Sequence, residues 1–509
     1  MPFYENLGFH SHPFVHTNAD EERLLEEYFV PPPFFDGVIG DPSNPSPAIV
    51  LAPRGGGKSA QRRQIESWSP GHRVLAVTYD RFEFGVAQSL ADIGLPYHLR
   101  NIITRILISY LSYLSEYPDT MAQLSREHKQ ALSVFVHTYL GSMSGGELQE
   151  ILKELKGLPE KFRDFWSRHV GILEFAVNVI LKQYKLDVID LPDVRHEERK
   201  LIETYKYQLE TLLVLVGQLD FASIYILVDK LDETELTGND AEKTYRLLQP
   251  LVKDLELLGM SGYGYKFFLW DRILEYFQKD ARPDRVSQFN LEWSRRQLES
   301  VLSRRISAFS AGRATSFQML MSEDPGFAVD SVMCLMANRS PRNLIRMCER
   351  VLAAQAELAP GASAITPTAL DRGIMSYSET IVAEQYGNDT VKDLQRVGRE
   401  AFTINYLASN IFKTAHENTS RNKVTAWSKA GAVAQRGTVA VAGAKRPLNF
   451  YYIADPAMIR VMHRQSDLKT FVEERWLECG NCAADNLVDI GLVPEGNELT
   501  CHHCGRVII

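Results

Sequence analysis

The sequence predicts an α/β protein built on a three-layer parallel sheet, followed by helical and small C-terminal modules. Short apolar runs without alternation recur along the chain, at AIVLAP (48–53), HRVLAVTYD (72–80), SIYILVD (223–229) and YKFFLWD (265–271). Strands buried on both faces read this way, and the helical patterns between them are those of parallel crossovers. The first run leads directly into a glycine cluster and then a helix. The 509 residues, 45% hydrophobic and 24% charged, have the composition of a globular chain of about three domains.

Charge and leader patterns narrow the class. A formal charge of −8 excludes a uniformly basic nucleic-acid coat and leaves room for a local basic patch. No apolar run reaches the roughly 18–20 residues of a membrane span. The opening MPFYENLGFHSHPF lacks the basic-then-apolar order of a secretory leader. Six cysteines in so long a chain do not make a disulfide scaffold. The expectation is a cytoplasmic, multidomain protein with no membrane partner.

The elements follow in order. VHTNADEERLLEEYF (15–29) predicts a helix, with Asn18 and Glu21 as a capping box, stopped by Pro31, Pro32 and Pro33. After the first strand, SAQRRQIESW (59–68) predicts a helix. From about 98 to 215 the pattern is helical, including LQEILKELKGL, and marks an insertion within the sheet domain. AEKTYRLLQPLVKDLELLG (241–259) is helical, RVSQFNLEW (285–293) is the last strand, and Ser294 caps RRQLESVLSRRISAF. The first domain thus spans 1–320. A helical lid centred on PRNLIRMCERVLAAQAEL occupies 321–395. Residues 396–470 carry the order of a winged helix: FTINYLASNIF, then TSRNKVTAWSKAGAV, then Gly437 and NFYYIA. A cysteine module fills 471–509.

APRGGGKS (52–59) lies between a buried strand and a helix, the order of a phosphate loop (P-loop), with Ala52 where the strict pattern has glycine. Three glycines let consecutive backbone N–H groups curl around phosphate oxygens, and the following helix adds its positive end. Arg54, Gly55, Gly56, Gly57, Lys58, Ser59 and Ala60 are therefore the candidate nucleotide-binding set. Lys58 supplies charge to the β- and γ-phosphates, and Ser59 a ligand to Mg²⁺. The strand SIYILV delivers Asp229, which would hold the same Mg²⁺ together with Ser59. Of Asp232 and Glu233, which follow in DKLDE, one, Glu233 foremost, would orient or deprotonate the attacking water.

Cys479-Gly-Asn-Cys482 and Cys501-His-His-Cys504 are two C-x-x-C knuckles separated by 18 residues. Paired knuckles close a tetrahedral structural Zn²⁺ site, and a tail this short needs the metal to fold, so residues 471–509 read as a zinc ribbon. Cys334 and Cys348 sit in apolar helical settings and read as core thiols.

Residues 15–355 resemble the AAA+/STAND-type P-loop ATPases, close to NACHT-like and ORC/Cdc6-like bacterial members. VDKLDE is similar to the hhhhDGLDE form of their acidic motif, with Lys230 where glycine is usual. The resemblance implies ATP hydrolysis, with Asp271 at the end of FFLWD as a polar sensor of the γ-phosphate. It implies an arginine finger at Arg282 or Arg285 in RPDR, projecting toward a neighbouring subunit of a homo-oligomer. It also implies that NRSPRNLIRMCERVL contributes a nucleotide-contacting arginine, Arg342 or Arg339. The PPPFF run is expected near the adenine.

From Asn418 to Ala454 there is no acidic residue, while Arg421, Lys423, Lys429, Arg436, Lys445 and Arg446 occur with Trp427 among them. A recognition helix and wing here would place cations against DNA or RNA phosphates, with the ribbon as a second contact. The alternative is protein docking or lid control. The function expected is an ATP-binding and ATP-hydrolysing switch or motor acting on nucleic acid or an effector protein, and the resemblance suggests antiphage defence. The alternative is a sequence-specific DNA-binding regulator in which ATP is only an allosteric ligand.

Overall fold

The computed structural model describes residues 2–84, 89–116, 124–140, 195–280, 282, 285–414, 417–439, 446–453, 455–490, 499–501 and 503–508. The chain divides into two compact units: Pro31–Glu292, and Met1–Val30 together with Trp293–Ile509. The N-terminal thirty residues and the helix capped by Ser294 thus belong with the C-terminal modules.

The first unit is the predicted α/β domain. Five parallel strands, β1 (Ala48–Ala52), β2 (Val74–Tyr79), β3 (Ser223–Val228), β4 (Tyr263–Trp270) and β5 (Ser287–Asn290), lie in the order β2-β3-β4-β1-β5. β1 to β4 are buried along their whole length, which explains their unbroken apolar character. The register pairs Ala52 with Trp270, Phe267 with Val228 and Val228 with Tyr79. The residues leaving these four strand ends, Pro53, Asp271, Asp229 and Asp80, therefore gather at one edge. β4 separates the strand that feeds the glycine loop from the strand that feeds the acids.

Helix α1 (Lys58–Trp68) follows the loop, and α2 (Leu95–Glu116), α3 (Arg126–Leu140), α4 (Arg195–Gly217) and α5 (Ala241–Lys253) cover the sheet. Ile102, Ile106, Leu209 and Leu212 share one core with Val77 and Ile226 of the strands, so the described parts of the helical insertion belong to the sheet domain. Residues 141–194 of the insertion, including LQEILKELKGL, lie outside the described residues. Phe34 of the PPPFF run stacks on Phe289 of β5, ring centroids 5.3 Å apart.

In the second unit, residues 15–29 do not form the continuous helix that the capping box predicts. A 3-10 turn (Ala19–Glu21) capped by Asn18 is followed by one helical turn, Leu25–Tyr28. The segment packs around Arg305 on α6 (Arg295–Phe309), which is 1% exposed. Its guanidinium donates to the carbonyls of Pro13 and His16 and to the Tyr28 hydroxyl, and pairs with Glu22. The chain is extended at Glu22 (φ −80°, ψ 117°), where the predicted helix is interrupted, and the Glu22 side chain there meets the buried cation, which needs such partners. Helices α7 (Val329–Met336), α8 (Pro341–Leu358) and α9 (Pro367–Tyr386) follow, with Cys334 and Cys348 buried as expected.

Beyond α10 (Asn388–Val397), β6 (Ala401–Thr403), short helical turns over 404–411, α11 (Glu417–Ala430), β7 (Val433–Val439) and β8 (Leu448–Ile453) form the winged helix, with antiparallel strand order β6-β8-β7. FTINYLASNIF is thus a strand end plus helical turns, not one helix. Its first residues, Phe402 and Thr403, pair with Tyr451 and Phe450 of β8, and a ladder partner outweighs helical periodicity. Residues 440–445, including Lys445, lie outside the described residues. Helices α12 (Pro456–Met462) and α13 (Leu468–Arg475) lead to β9 (Trp476–Glu478) and β10 (Asp485–Leu487), the antiparallel hairpin of the cysteine module.

Candidate functional site

The three loop glycines are required for two reasons. Gly55 and Gly57 have φ of 76° and 92°, in the left-handed region that side chains disfavour. At Gly56 a Cβ would lie 2.9 Å from the Pro53 carbonyl oxygen. Gly57 is the N-cap of α1, so the first N–H groups of that helix open onto the loop, while the Gly56 N–H donates to the Pro53 carbonyl at 3.1 Å. Lys58 lies across the loop, its Nζ donating to the carbonyls of Ala52 (2.9 Å) and Pro53 (3.1 Å). Ala60 sits in the first turn of α1.

Ser59 and Asp229 meet. The Ser59 hydroxyl donates to Asp229 Oδ2 at 2.7 Å, across 170 positions of sequence. The same oxygen accepts from Arg62 Nε at 3.0 Å. Arg62, fully buried, also pairs with Glu66 and lies 3.6 Å from Asp80 Oδ2. Arg62, Glu66 and Asp80 are site residues that sequence reasoning missed. A signal existed: Ser59, Arg62 and Glu66 are spaced i, i+3, i+7 and so share one face of α1.

Lys230 solves the glycine problem in the acidic motif. It adopts φ 58°, the left-handed conformation that glycine would take, and its Nζ pairs with Asp80 at 3.1 Å. The turn keeps its geometry at a strain of about 1 kcal/mol, offset by a partly buried ion pair. Lys230→Gly should relieve the strain but lose the pair. We expect a net change within about 1 kcal/mol in denaturant unfolding, whereas Lys230→Val, which keeps neither, should lose 2 kcal/mol or more.

Arg54 does not lie along the loop as a loose cation. Its Nε donates to Asp232 Oδ2 at 2.9 Å, its second nitrogen lies 2.8 Å from the same oxygen, and the side chain of Asn239 accepts from it too. The guanidinium carbon lies 4.5 Å from the Trp270 ring centroid at the end of β4. Asp232 is thereby buried, while the neighbouring Glu233 is exposed. Asp271 begins a 3-10 turn directly after β4, exposed at the same edge of the sheet as the loop.

Arg282 and Arg285 precede β5 and are exposed. Ser287 at the start of β5 is in register with Ala48 at the start of β1, so both arginines lie at the edge opposite to the loop. Arg342 is exposed in the first turn of α8, and Arg339 precedes it with φ 60°.

The four tail cysteines converge. Their Sγ atoms all lie within 4.8 Å of one another, with Cys479 to Cys504 at 3.6 Å and Cys482 to Cys501 at 3.7 Å. These separations are far beyond a disulfide bond, and they match the edge of about 3.8 Å expected for a tetrahedron of sulfurs 2.3 Å from a central ion. Each knuckle closes on a residue of positive φ, Ala483 (55°) and Gly505 (71°). Burial pushes the Cys501 thiol up, but the N–H groups of Cys504 and His503 and the Asn486 amide bring it down to about 6, favouring the thiolate. Arg295 of α6 holds the module, bonded to Asp485 at 2.9 Å, paired with Glu478 and set over the Trp476 ring.

On the winged helix, Trp427 is a core residue, 2% exposed, against Phe402 and Phe412. Lys423 is paired with Asp393 of α10. Arg421, Asn422, Thr425, Ser428 and Lys429 form the exposed face of α11, and Arg446 is exposed at the start of the return strand.

Fold and site together define an α/β phosphate-loop protein carrying a winged helix and a four-cysteine centre. No family model and no curated protein matches the chain. Among solved structures it is similar to the ORC2 protein of Aeropyrum pernix in its ADPNP-ADP complexes, at 10% identity over 87% of this chain and 97% of that one, TM-score 0.37. It is also similar to the ORC1 protein of Aeropyrum pernix in complex with DNA, at 10% identity over 90% and 99%, TM-score 0.34. Drosophila ORC bound to DNA aligns at 12% identity over 91% and 90%, TM-score 0.27. Likeness at this level decides nothing about the site, so the fold class rests on the strand order and glycine loop of the chain itself. No helix of the described residues is long and apolar enough to cross a membrane.

Proposed function

We propose that this chain binds Mg·ATP and hydrolyses it as an AAA+-type switch or motor acting on nucleic acid. The observation that carries the reading is the 2.7 Å contact between Ser59 of the glycine loop and Asp229 of the acidic motif. A hydroxyl and a carboxylate joined beside a nest of backbone N–H groups are the oxygen donors and the anion cradle that a Mg-nucleotide needs. Bound Mg²⁺ would offset charge on the β- and γ-phosphate oxygens. Lys58 would exchange its two carbonyl acceptors for phosphate, and Glu233 would take the proton of the attacking water. Arg282 and Arg285, at the edge away from their own loop, are suited to reach the loop of another copy, which favours a homo-oligomer. The four cysteines would hold a structural Zn²⁺.

Lys58→Ala should abolish the heat of Mg·ATP binding in a calorimeter; undiminished binding would remove the site assignment. For nucleic acid, the exposed face of α11 supports contact through Lys429 and Arg421, the latter 3.7 Å from the exposed Glu417, whereas Lys423 is held by Asp393 of α10. Replacing Arg421 and Lys429 by Ala should weaken duplex DNA binding and reduce the slope of log K against log salt by about 2. Fluorescence anisotropy at several salt concentrations measures both, and an unaltered slope would favour protein docking.

A further inference from the structure

Resting on this ATPase reading, we propose that Arg54 is a positioning residue that assigns the attacking water to Glu233 by locking Asp232 out of the reaction. Two adjacent acids leave the acidic motif, and their surroundings differ. Asp232 Oδ2 accepts both Arg54 Nε (2.9 Å) and the second guanidinium nitrogen (2.8 Å), and the Asp232 carbonyl lies 3.4 Å from that nitrogen. A carboxylate oxygen engaged by two charge-assisted donors is a poor acceptor for a further proton. Glu233 is one residue further round a tight turn, its N–H donating to the Lys230 carbonyl at 3.1 Å, and its side chain is exposed.

The arginine also joins three pieces of the site. It belongs to the segment that leads into the glycines, it grips the acidic turn through Asp232 and Asn239, and it stacks on Trp270, the residue before Asp271. Asn239 returns a hydrogen bond to the Asp232 carbonyl at 3.2 Å, so the clamp is closed on both sides. Arg54 is thus spent on geometry and not on phosphate. In the reaction, the water oxygen bonds to the γ-phosphorus and the bond from that phosphorus to the ADP oxygen breaks. The proton of the water passes to the Glu233 carboxylate, giving ADP and phosphate.

The test is kinetic and uses the full chain: kcat, KM and calorimetric Mg·ATP affinity for R54A, R54K, D232N, R54A/D232N and E233Q. R54A and D232N should each lower kcat by about 10²-fold, the scale of a misplaced reacting group, with Mg·ATP affinity nearly constant. The double variant should be no slower than either single one, because both break the same clamp. R54K, which keeps charge without the fork, should be intermediate. E233Q should lose about 10²–10⁴-fold in kcat and still bind Mg·ATP. Loss of turnover in D232N with turnover retained in E233Q would overturn the proposal by giving the water to Asp232. Loss of Mg·ATP affinity in R54A and R54K at unchanged kcat would overturn it by making Arg54 a phosphate ligand. Failure of the ATPase reading itself would look different, with no Mg·ATP binding in the parent chain.

Discussion

Arg62→Leu should destabilise the sheet unit by about 3–5 kcal/mol, the usual cost of removing one partner from a buried ion pair. The guanidinium is fully buried among Asp229, Glu66 and Asp80. Taking it away leaves three acids in a low-dielectric setting, where Lys230 lies beside Asp80 and Arg63 beside Glu66. The leucine fills much of the volume, so the loss is electrostatic more than a cavity. For a unit of this size the shift in melting temperature is on the order of 10 °C. Arg62→Leu combined with Asp80→Asn and Glu66→Gln should recover part of it, since fewer unpaired charges remain buried. A change below about 1 kcal/mol in the single variant would show that the three acids do not depend on the guanidinium. Mg·ATP binding should fall in the same variant, because the Asp229 oxygen that meets Ser59 loses its second donor.

The other large effect is expected at the tail. Purified protein should contain one zinc per chain, and Cys479→Ser with Cys482→Ser should bring that to zero. Structural zinc sites contribute roughly 10–16 kcal/mol of apparent binding energy, far more than a hairpin of two three-residue strands can supply. The module should therefore unfold while helices α7 to α9 stay folded. Hydrogen exchange should report this as lost protection at Asp485–Leu487 with α8 and α9 unchanged. Trp476 fluorescence offers a second reading, because its ring lies over Arg295 and its indole N–H donates to Asp485 at 3.0 Å. A metal-free parent protein whose tail is folded would remove the zinc assignment.

Much of the molecule was legible locally. The unbroken apolar runs gave the four fully buried strands, because a central parallel strand has no solvent face to alternate toward. Ser294 caps α6 in a box with Gln297, a signal confined to four residues. The glycine loop could be read because phosphate chemistry requires small residues, a cation and a hydroxyl at fixed spacing on one turn. The two cysteine pairs could be read because each knuckle is a tight local turn. The strand within FTINYLASNIF was not legible, since its partner in β8 lies about fifty residues away.

What the sequence by itself determined is this set of short-range devices: which runs are buried, which turn can cradle phosphate, which thiols can share an ion. The tertiary structure decided which charges meet. Arg62 reaches Asp229 across 167 positions, Arg54 reaches Asp232 across 178, and Lys423 finds Asp393 on another helix. It also decided that Trp427 is packed in the core and that the N-terminal segment places Glu22, Tyr28 and the Pro13 carbonyl around Arg305. A buried charge must be matched by whatever the fold brings beside it, and no local spacing encodes that partner.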